Sequence, residues 1–167
     1  MKILIISDTH GNLNNLKTVL EREQPIDQLL HTGDVLDDQE QIREMAGCAC
    51  AFVRGNCDFF SREPLSRDFG LMQHNIHMEH GHMLPDSFNS IAYKAESIGA
   101  DILMFGHTHV PLITEAGGIT ILNPGSLTRP RQANRLPSYI IMTLDKEGHA
   151  EFELKYLRKM SDQEVAP

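Results

Sequence analysis

The sequence predicts a mixed α/β domain, and three observations carry that expectation. Strand-like and helix-like segments alternate as far as about residue 109, and strand-like segments alone follow, as in an α/β sheet system completed by antiparallel additions. Several strands are unbroken apolar runs, the pattern of a strand covered on both faces. The length, 167 residues, suits one compact domain over 1–160, with 161–167 as a loose tail. A chain of that length buries a core without disulfides or a structural metal.

Ile3-Leu4-Ile5-Ile6 is the first such run. Asn12 is placed to cap a helix carrying Leu13, Leu16, Val19 and Leu20, which ends before Pro25. Leu29-Leu30 marks a second strand, a weak helix follows near 38–46, and Ala51–Val53 is a third strand. From Met72 to Met78 the pattern alternates, with Met72, Ile76 and Met78 on one face. Residues 87–99 read as a helix and Ile102–Phe105 as another buried strand. Strands then follow at Leu112–Thr114, Ile119–Leu122, Tyr139–Leu144 and Glu151–Tyr156, with Asp145–Gly148 as a hairpin turn.

A formal net charge of −8 counts against stable binding to long nucleic acids, whose phosphates such a surface repels. It does not deter a small phosphate ester drawn into a locally positive pocket. No apolar run approaches the length of a membrane span, and the short apolar start meets a carboxylate at Asp8, so no export signal is expected. Cys48, Cys50 and Cys57 form an odd set without Cys-x-x-Cys spacing, in keeping with reduced thiols in a cytoplasm. Histidine is the outlier: six of the nine lie between His74 and His109.

Five apolar strands run straight into ligand-type residues with glycine beside or near them. The blocks are Ser7-Asp8-Thr9-His10-Gly11, His31-Thr32-Gly33-Asp34, Arg54-Gly55-Asn56-Cys57-Asp58, Glu79-His80-Gly81-His82 and Gly106-His107-Thr108-His109. Ligands of open α/β sheets bind beyond the carboxyl ends of the strands, and glycine lets the backbone turn sharply there. Singly, each block reads equally as a turn, and His80, inward by strand parity, as a hydrogen-bonded core histidine. Together they bring Asp8 and Asp34 to strand ends where an uncompensated carboxylate costs several kcal/mol. Divalent cations stabilise such carboxylates and keep imidazoles neutral and ligating.

Asp8, His10, Asp34, Asn56, His80, His107 and His109 offer seven ligands, too many for one tetrahedral zinc and suited to two metals sharing a carboxylate. Mixed imidazole and oxygen donors suit manganese, zinc, iron, nickel or cobalt and disfavour calcium. The phosphate-loop, dinucleotide-fingerprint and nucleophile-elbow patterns are missing from the sequence, and His77-Met78-Glu79-His80 lacks a zinc-protease spacing.

These blocks, in this order over residues 2 to about 130, resemble the calcineurin-like metallophosphoesterase superfamily and its small bacterial and archaeal phosphodiesterase branch. Asn123-Pro124-Gly125-Ser126 followed by Arg129-Pro130-Arg131 is similar to the same branch. The resemblance implies two stacked mixed β-sheets flanked by helices, with a dinuclear centre at the strand ends. It implies one metal on Asp8, His10, Asp34 and His109, and another on Asp34, Asn56, His80 and His107, with manganese the expected ion. A metal-bound hydroxide would attack the phosphorus of a small phosphodiester. Asp34, Asn56 and His82 are the expected catalytic residues, and Asn12, Asn56, Arg129 and Arg131 the expected substrate contacts.

One departure concerns the leaving group. Many members of the superfamily carry His where this chain has Cys57, and a thiol is a poor general acid at neutral pH, so Asp58 lacks the partner it would orient. A phosphomonoesterase or nuclease on the same site is the enzymatic alternative, and a metal-binding scaffold protein the alternative from another class. The family makes a homodimer or homotetramer the expected assembly, with no long nucleic acid and no membrane as partner.

Overall fold

The computed structural model describes residues 1–158, so the tail expected at 161–167 lies outside the described residues. In chain order the elements are β1 (Lys2–Ile6), α1 (Asn14–Glu23), β2 (Gln28–His31), α2 (Gln39–Ala46), β3 (Ala49–Phe52), β4 (Ser66–Leu71) and β5 (His74–Glu79). Then come α3 (Phe88–Ser97), β6 (Ile102–Met104), β7 (Leu112–Ala116), β8 (Ile119–Asn123), β9 (Ser138–Leu144) and β10 (Ala150–Tyr156). They build two mixed five-stranded sheets, in the orders β10-β9-β1-β2-β3 and β4-β5-β6-β8-β7.

Burial on both faces explains the unbroken apolar runs. Ile3 and Ile5 of β1 pack with Leu30, Ile76, Met78, Ile102, Met104 and Leu122 in the layer between the sheets. Leu4 and Ile6 point the other way, against Leu16, Val19 and Leu20 of α1 and Ile42 of α2. On the far side, Leu103 and Ile121 pack against Ile91, Ala92 and Ala95 of α3. The architecture is therefore an α/β sandwich: two stacked sheets flanked by helices, as the resemblance implies.

The parallel strands matter most for the site. β1 pairs parallel with β2, and β2 with β3. In the second sheet β5 pairs parallel with β6, and β6 with β8. Each triplet therefore delivers its carboxyl ends to one edge of its sheet. The antiparallel strands β9, β10, β4 and β7 complete the outer sides. Buried Glu23 fastens the end of α1 to the first sheet, accepting from the Tyr139 hydroxyl at 2.8 Å, with the Lys2 ammonium at 2.8 Å and that of Lys155 at 3.1 Å.

Two local expectations change. Met72 is not in a strand; with Gln73 it forms the turn between β4 and β5, at φ 53° and exposed. The alternation ran through a two-residue hairpin that lacks the usual Asn-Gly or Gly signal, and β4 went unread for the same reason. The N-cap position of α1 is Leu13, with no side-chain cap. Asn12 stands one residue earlier and accepts from the Asn14 N–H at 3.1 Å, so its side chain does serve the helix start. Ser87 caps α3 by accepting from the Ser90 N–H.

Candidate active site

The loops that leave β1, β2, β3, β5 and β6 meet where the two sheets adjoin. Asp8 donates its N–H to the Gly33 carbonyl at 3.0 Å and His10 to that of Asp34 at 2.9 Å, which ties the first two loops together. The Gly106 N–H reaches the His80 carbonyl at 2.9 Å, and that of His107 reaches Asp8 Oδ2 at 3.1 Å across the sheets. Eight described residues other than glycine have positive φ, and five of them are Asp8 (54°), His10 (46°), Asp34 (56°), His107 (61°) and His109 (60°). Each such residue costs on the order of 1 kcal/mol or more, tolerated only where surrounding contacts over-determine the backbone. The Ser126 and Thr128 hydroxyls provide such contacts, both donating to the Asp8 carbonyl, at 2.8 and 3.1 Å.

The side chains form two adjoining groups. In the first, His109 Nε2 lies 3.0 Å and His10 Nε2 3.8 Å from Asp8 Oδ1, and the two imidazole nitrogens are 3.3 Å apart. In the second, His80 Nε2 lies 3.4 Å from Asp34 Oδ1 and 3.1 Å from Asn56 Oδ1. Asp34 joins them, because its other oxygen, Oδ2, is 3.7 Å from His10 Nε2. The His107 ring stands edge-on to His80 with centroids 5.2 Å apart. All seven expected ligands thus lie in one small volume at the strand ends.

Backbone carbonyls select the tautomers. His80 Nδ1–H donates to the Thr32 carbonyl at 2.8 Å and His109 Nδ1–H to that of Arg129 at 2.7 Å. When such a ring is neutral its Nε2 lone pair is left facing the carboxylates, the usual way in which outer partners orient a ligating imidazole. Neither carbonyl could be read as functional from its side chain. Buried His31, also unassigned by the sequence, accepts from the Gly33 N–H through Nδ1 at 3.2 Å and meets the Thr9 hydroxyl through Nε2 at 3.1 Å. Burial pushes this imidazole down to about 3, so it stays neutral between the first two loops.

Asp58 has a different task from the one its position beside Cys57 suggested. Its Oδ2 accepts from the Asp34 N–H at 2.9 Å and the Gly55 N–H at 2.7 Å, and its Oδ1 from the Leu36 N–H at 2.6 Å. It therefore clamps the loops after β2 and β3 around the carboxylate that joins the two groups. Asn123 does similar work on the last loop, donating to the Gly106 carbonyl and the Thr108 hydroxyl. Glycine is required at two of these corners: a Cβ on Gly55 would fall on the Asp34 carboxylate, and one on Gly106 on the Ser7 hydroxyl. Cys57 lies within ligating distance of His10 and Asp34, but burial and the neighbouring carboxylates push its thiol up to about 11.

Farther out, His82 is exposed, its ring 5.5 Å from His80 and 6.1 Å from His107. Asn12 is exposed at the mouth, with its amide oxygen engaged by Asn14. Arg129 and Arg131 are exposed, pair with no carboxylate among the described residues, and stand near enough to His10 and His109 respectively for their charge to act on those imidazoles.

The donor set fits divalent cations. Asp8 Oδ1 is buried and accepts no hydrogen bond, yet two imidazole nitrogens face it. Burial alone would raise the Asp8 carboxyl, but its neighbours, the hydrogen-bonded His109 imidazole first among them, outweigh it and hold Asp8 below the ordinary carboxylate value. Burial would likewise depress His109, and the Asp8 carboxylate overcomes it, so His109 is raised. A proton between Asp8 and His109 satisfies that pair. A divalent cation satisfies the same lone pairs and that of His10 as well.

Comparison with known proteins agrees with this geometry. The family model of the calcineurin-like phosphoesterase superfamily domain matches residues 1–147. A probable metallophosphoesterase of Bacillus subtilis, YsnB, is 36% identical over 89% of this chain and 87% of its own. Phosphodiesterase YfcE of Escherichia coli is 29% identical over 80% of this chain and 83% of its own. Among solved structures, a conserved Streptococcus pneumoniae protein described as a predicted phosphoesterase superposes with a TM-score of 0.76 at 30% identity, covering 93% of this chain and 88% of that one.

Proposed function

The chain belongs to the calcineurin-like phosphoesterase superfamily, and we propose that it is a dinuclear-metal phosphodiesterase acting on small phosphodiesters. The observation that carries this is the division of the Asp34 carboxylate, one oxygen toward His10 and the other toward His80, which suits a bridging ligand between two cations. In this reading Asp8, His10, Asp34 and His109 hold one cation, and Asp34, Asn56, His80 and His107 the other, with manganese the preferred ion. When bound, the cations supply Lewis acidity toward the phosphoryl oxygens and the attacking water.

The chain's own residues prepare that chemistry. The left-handed loops hold the ligands with their lone pairs converging, so little reorganisation is needed when substrate arrives. Asn56, whose Oδ1 faces His80, would ligate through that oxygen, and its amide nitrogen, 3.5 Å from Cys57 Sγ, keeps a second N–H to offer a phosphoryl oxygen. Asn12, its oxygen already engaged, keeps an amide N–H to donate. His82, exposed beside His80 and His107, contacts the phosphoryl group or its departing oxygen. Arg129 and Arg131 contact the phosphate of the substrate, a task suited to a guanidinium fork. The Cys57 thiol, pushed up to about 11, is too weak an acid to protonate a leaving alkoxide efficiently, so esters with good leaving groups should turn over best.

A diester is favoured over a monoester by the name of the Escherichia coli relative, a phosphodiesterase. A net charge of −8 argues for small substrates over long nucleic acids. No described helix is long and apolar enough to cross a membrane. We take the protein to act in the cytoplasm as a homodimer or homotetramer.

The test is hydrolysis of bis(4-nitrophenyl) phosphate and 4-nitrophenyl phosphate by metal-stripped protein re-supplied with manganese or other divalent ions. Metal-dependent diester turnover that collapses in Asn56→Ala is expected. No turnover with any metal, despite binding of two ions per chain, would leave the metal-binding scaffold as the better account, and faster turnover of the monoester would make it a phosphomonoesterase.

A further inference from the structure

Two cavities, each about 320 Å³, flank the candidate centre and share His82 as a common wall. The first is lined by Arg54, Asn56, Phe59 and Leu65, the second by Leu84, Pro85, Phe88, Ile91, Phe105 and His107. Asn56 belongs to one and His107 to the other, so each cavity opens directly onto the proposed metal ligands. Both are within the size range of small-molecule sites.

Their walls are more apolar than a bare phosphate needs. The chain has seven phenylalanines, and the exposed ones among them are Phe59 (82% exposed), Phe60 (89%) and Phe88 (48%). Two of them line these cavities, Phe59 in the loop after β3 and Phe88 at the start of α3. An exposed aromatic ring gains nothing from folding, and one on each side of a polar centre points to a ligand that covers them. A phosphodiester has two ester arms that diverge from phosphorus. A centre with one cavity on each side, the first offering Phe59 and Leu65 beside Arg54 and Asp58 and the second mostly apolar apart from Asp86, His107 and Thr108, matches that shape, whereas a phosphomonoester would fill only one.

We infer that the two cavities are the two ester subsites, divided by His82, and that the preferred substrate is a phosphodiester carrying a ring or other bulky apolar group on each arm. The inference rests on the phosphodiesterase reading above and adds the class of both arms. Phe59 and Phe88 are the specificity-determining residues, one on each side, and as exposed side chains they can be truncated without opening the core.

The manganese-reconstituted protein tests this by binding and by turnover. Diphenylphosphinate and dimethylphosphinate, which have no ester bond to break, are compared by calorimetry. Phenyl and methyl 4-nitrophenyl phosphate, which share a leaving group, are compared by kcat/KM. The expected preference for the phenyl compound is about tenfold or more in each pair. Phe59→Ala and Phe88→Ala should each cut the calorimetric preference about threefold, and the variant on the side of the non-leaving arm should cut the kcat/KM preference likewise, through KM more than kcat. A wild-type preference near one, or a preference unmoved in both variants, overturns the assignment of the subsites. Hydrolysis of both diesters without preference does so while leaving the phosphodiesterase reading intact. Preferential binding of diphenylphosphinate without hydrolysis of either diester keeps the subsites and overturns the phosphodiesterase reading.

Discussion

Replacing Asp58 by Asn tests how the site is held together. The carboxylate accepts three backbone N–H groups, those of Asp34, Gly55 and Leu36, at 2.9, 2.7 and 2.6 Å. An amide keeps one acceptor oxygen. With that oxygen serving Asp34 and Gly55, the Leu36 N–H faces an NH2 group, and the two retained bonds lose their charge assistance. One charge-assisted bond is worth about 1.5–3 kcal/mol, and neutralising each of the two retained ones costs about half of that, so a destabilisation of about 3–6 kcal/mol is expected. Asp34 sits at φ 56°, so loosening its N–H should also let its carboxylate drift from between His10 and His80. Loss of such an orienting partner typically weakens metal binding about 10–100-fold. Urea unfolding followed by circular dichroism in the presence of chelator measures the first effect, and manganese titration calorimetry the second. Wild-type stability would refute the accounting of the three bonds. Lost stability with wild-type manganese affinity would refute the link from Asp58 to the site.

Other consequences are equally direct. His77 lies between Asp68 Oδ1 at 2.7 Å and Glu79 Oε1 at 3.1 Å; burial would depress it, but the two carboxylates prevail and raise it. The folded state therefore holds this proton more tightly than the unfolded chain does. Its contribution is fully present below the unfolded value of about 6.5 and is lost as pH rises through the raised folded value. Thermal unfolding of His77→Gln should approach that of the wild type on going from pH 6 to 9, and a constant gap would contradict this. Gly55→Ala, whose Cβ would strike Asp34, should cost about 2 kcal/mol or more, whereas Gly70→Ala, with nothing within 4 Å of its Cβ, should stay within about 0.5 kcal/mol. Equal stabilities for the two would count against the close approach at Gly55. Across aryl phosphodiesters, kcat/KM should fall steeply as leaving-group pKa rises; a flat dependence would show that some group does protonate the leaving oxygen.

The sequence alone carried the order of the ligand blocks and their attachment to strand ends. Unbroken runs such as Ile3–Ile6 name a doubly covered strand, and Asp, Asn and His directly after such runs have few places to go but the carboxyl edge of the sheets. Tertiary structure decided which ligands meet. Asp8 lies beside His109, a hundred residues away in chain, only because the two sheets stack, and Asp34 divides its oxygens between His10 and His80 for the same reason. The supports were still less legible. The carbonyls of Thr32 and Arg129 that set the imidazole tautomers are groups every residue possesses, and the backbone N–H groups gathered by Asp58 are groups every residue but proline possesses, so no residue type announces them. The turn at Met72-Gln73 was hidden in the opposite way: an apolar residue occupies a left-handed position that sequence patterns reserve for Gly or Asn, and the pairing of β4 with β5 imposes it. Local pattern determined what each segment is. Long-range pairing, through groups without side-chain identity, determined what each segment touches.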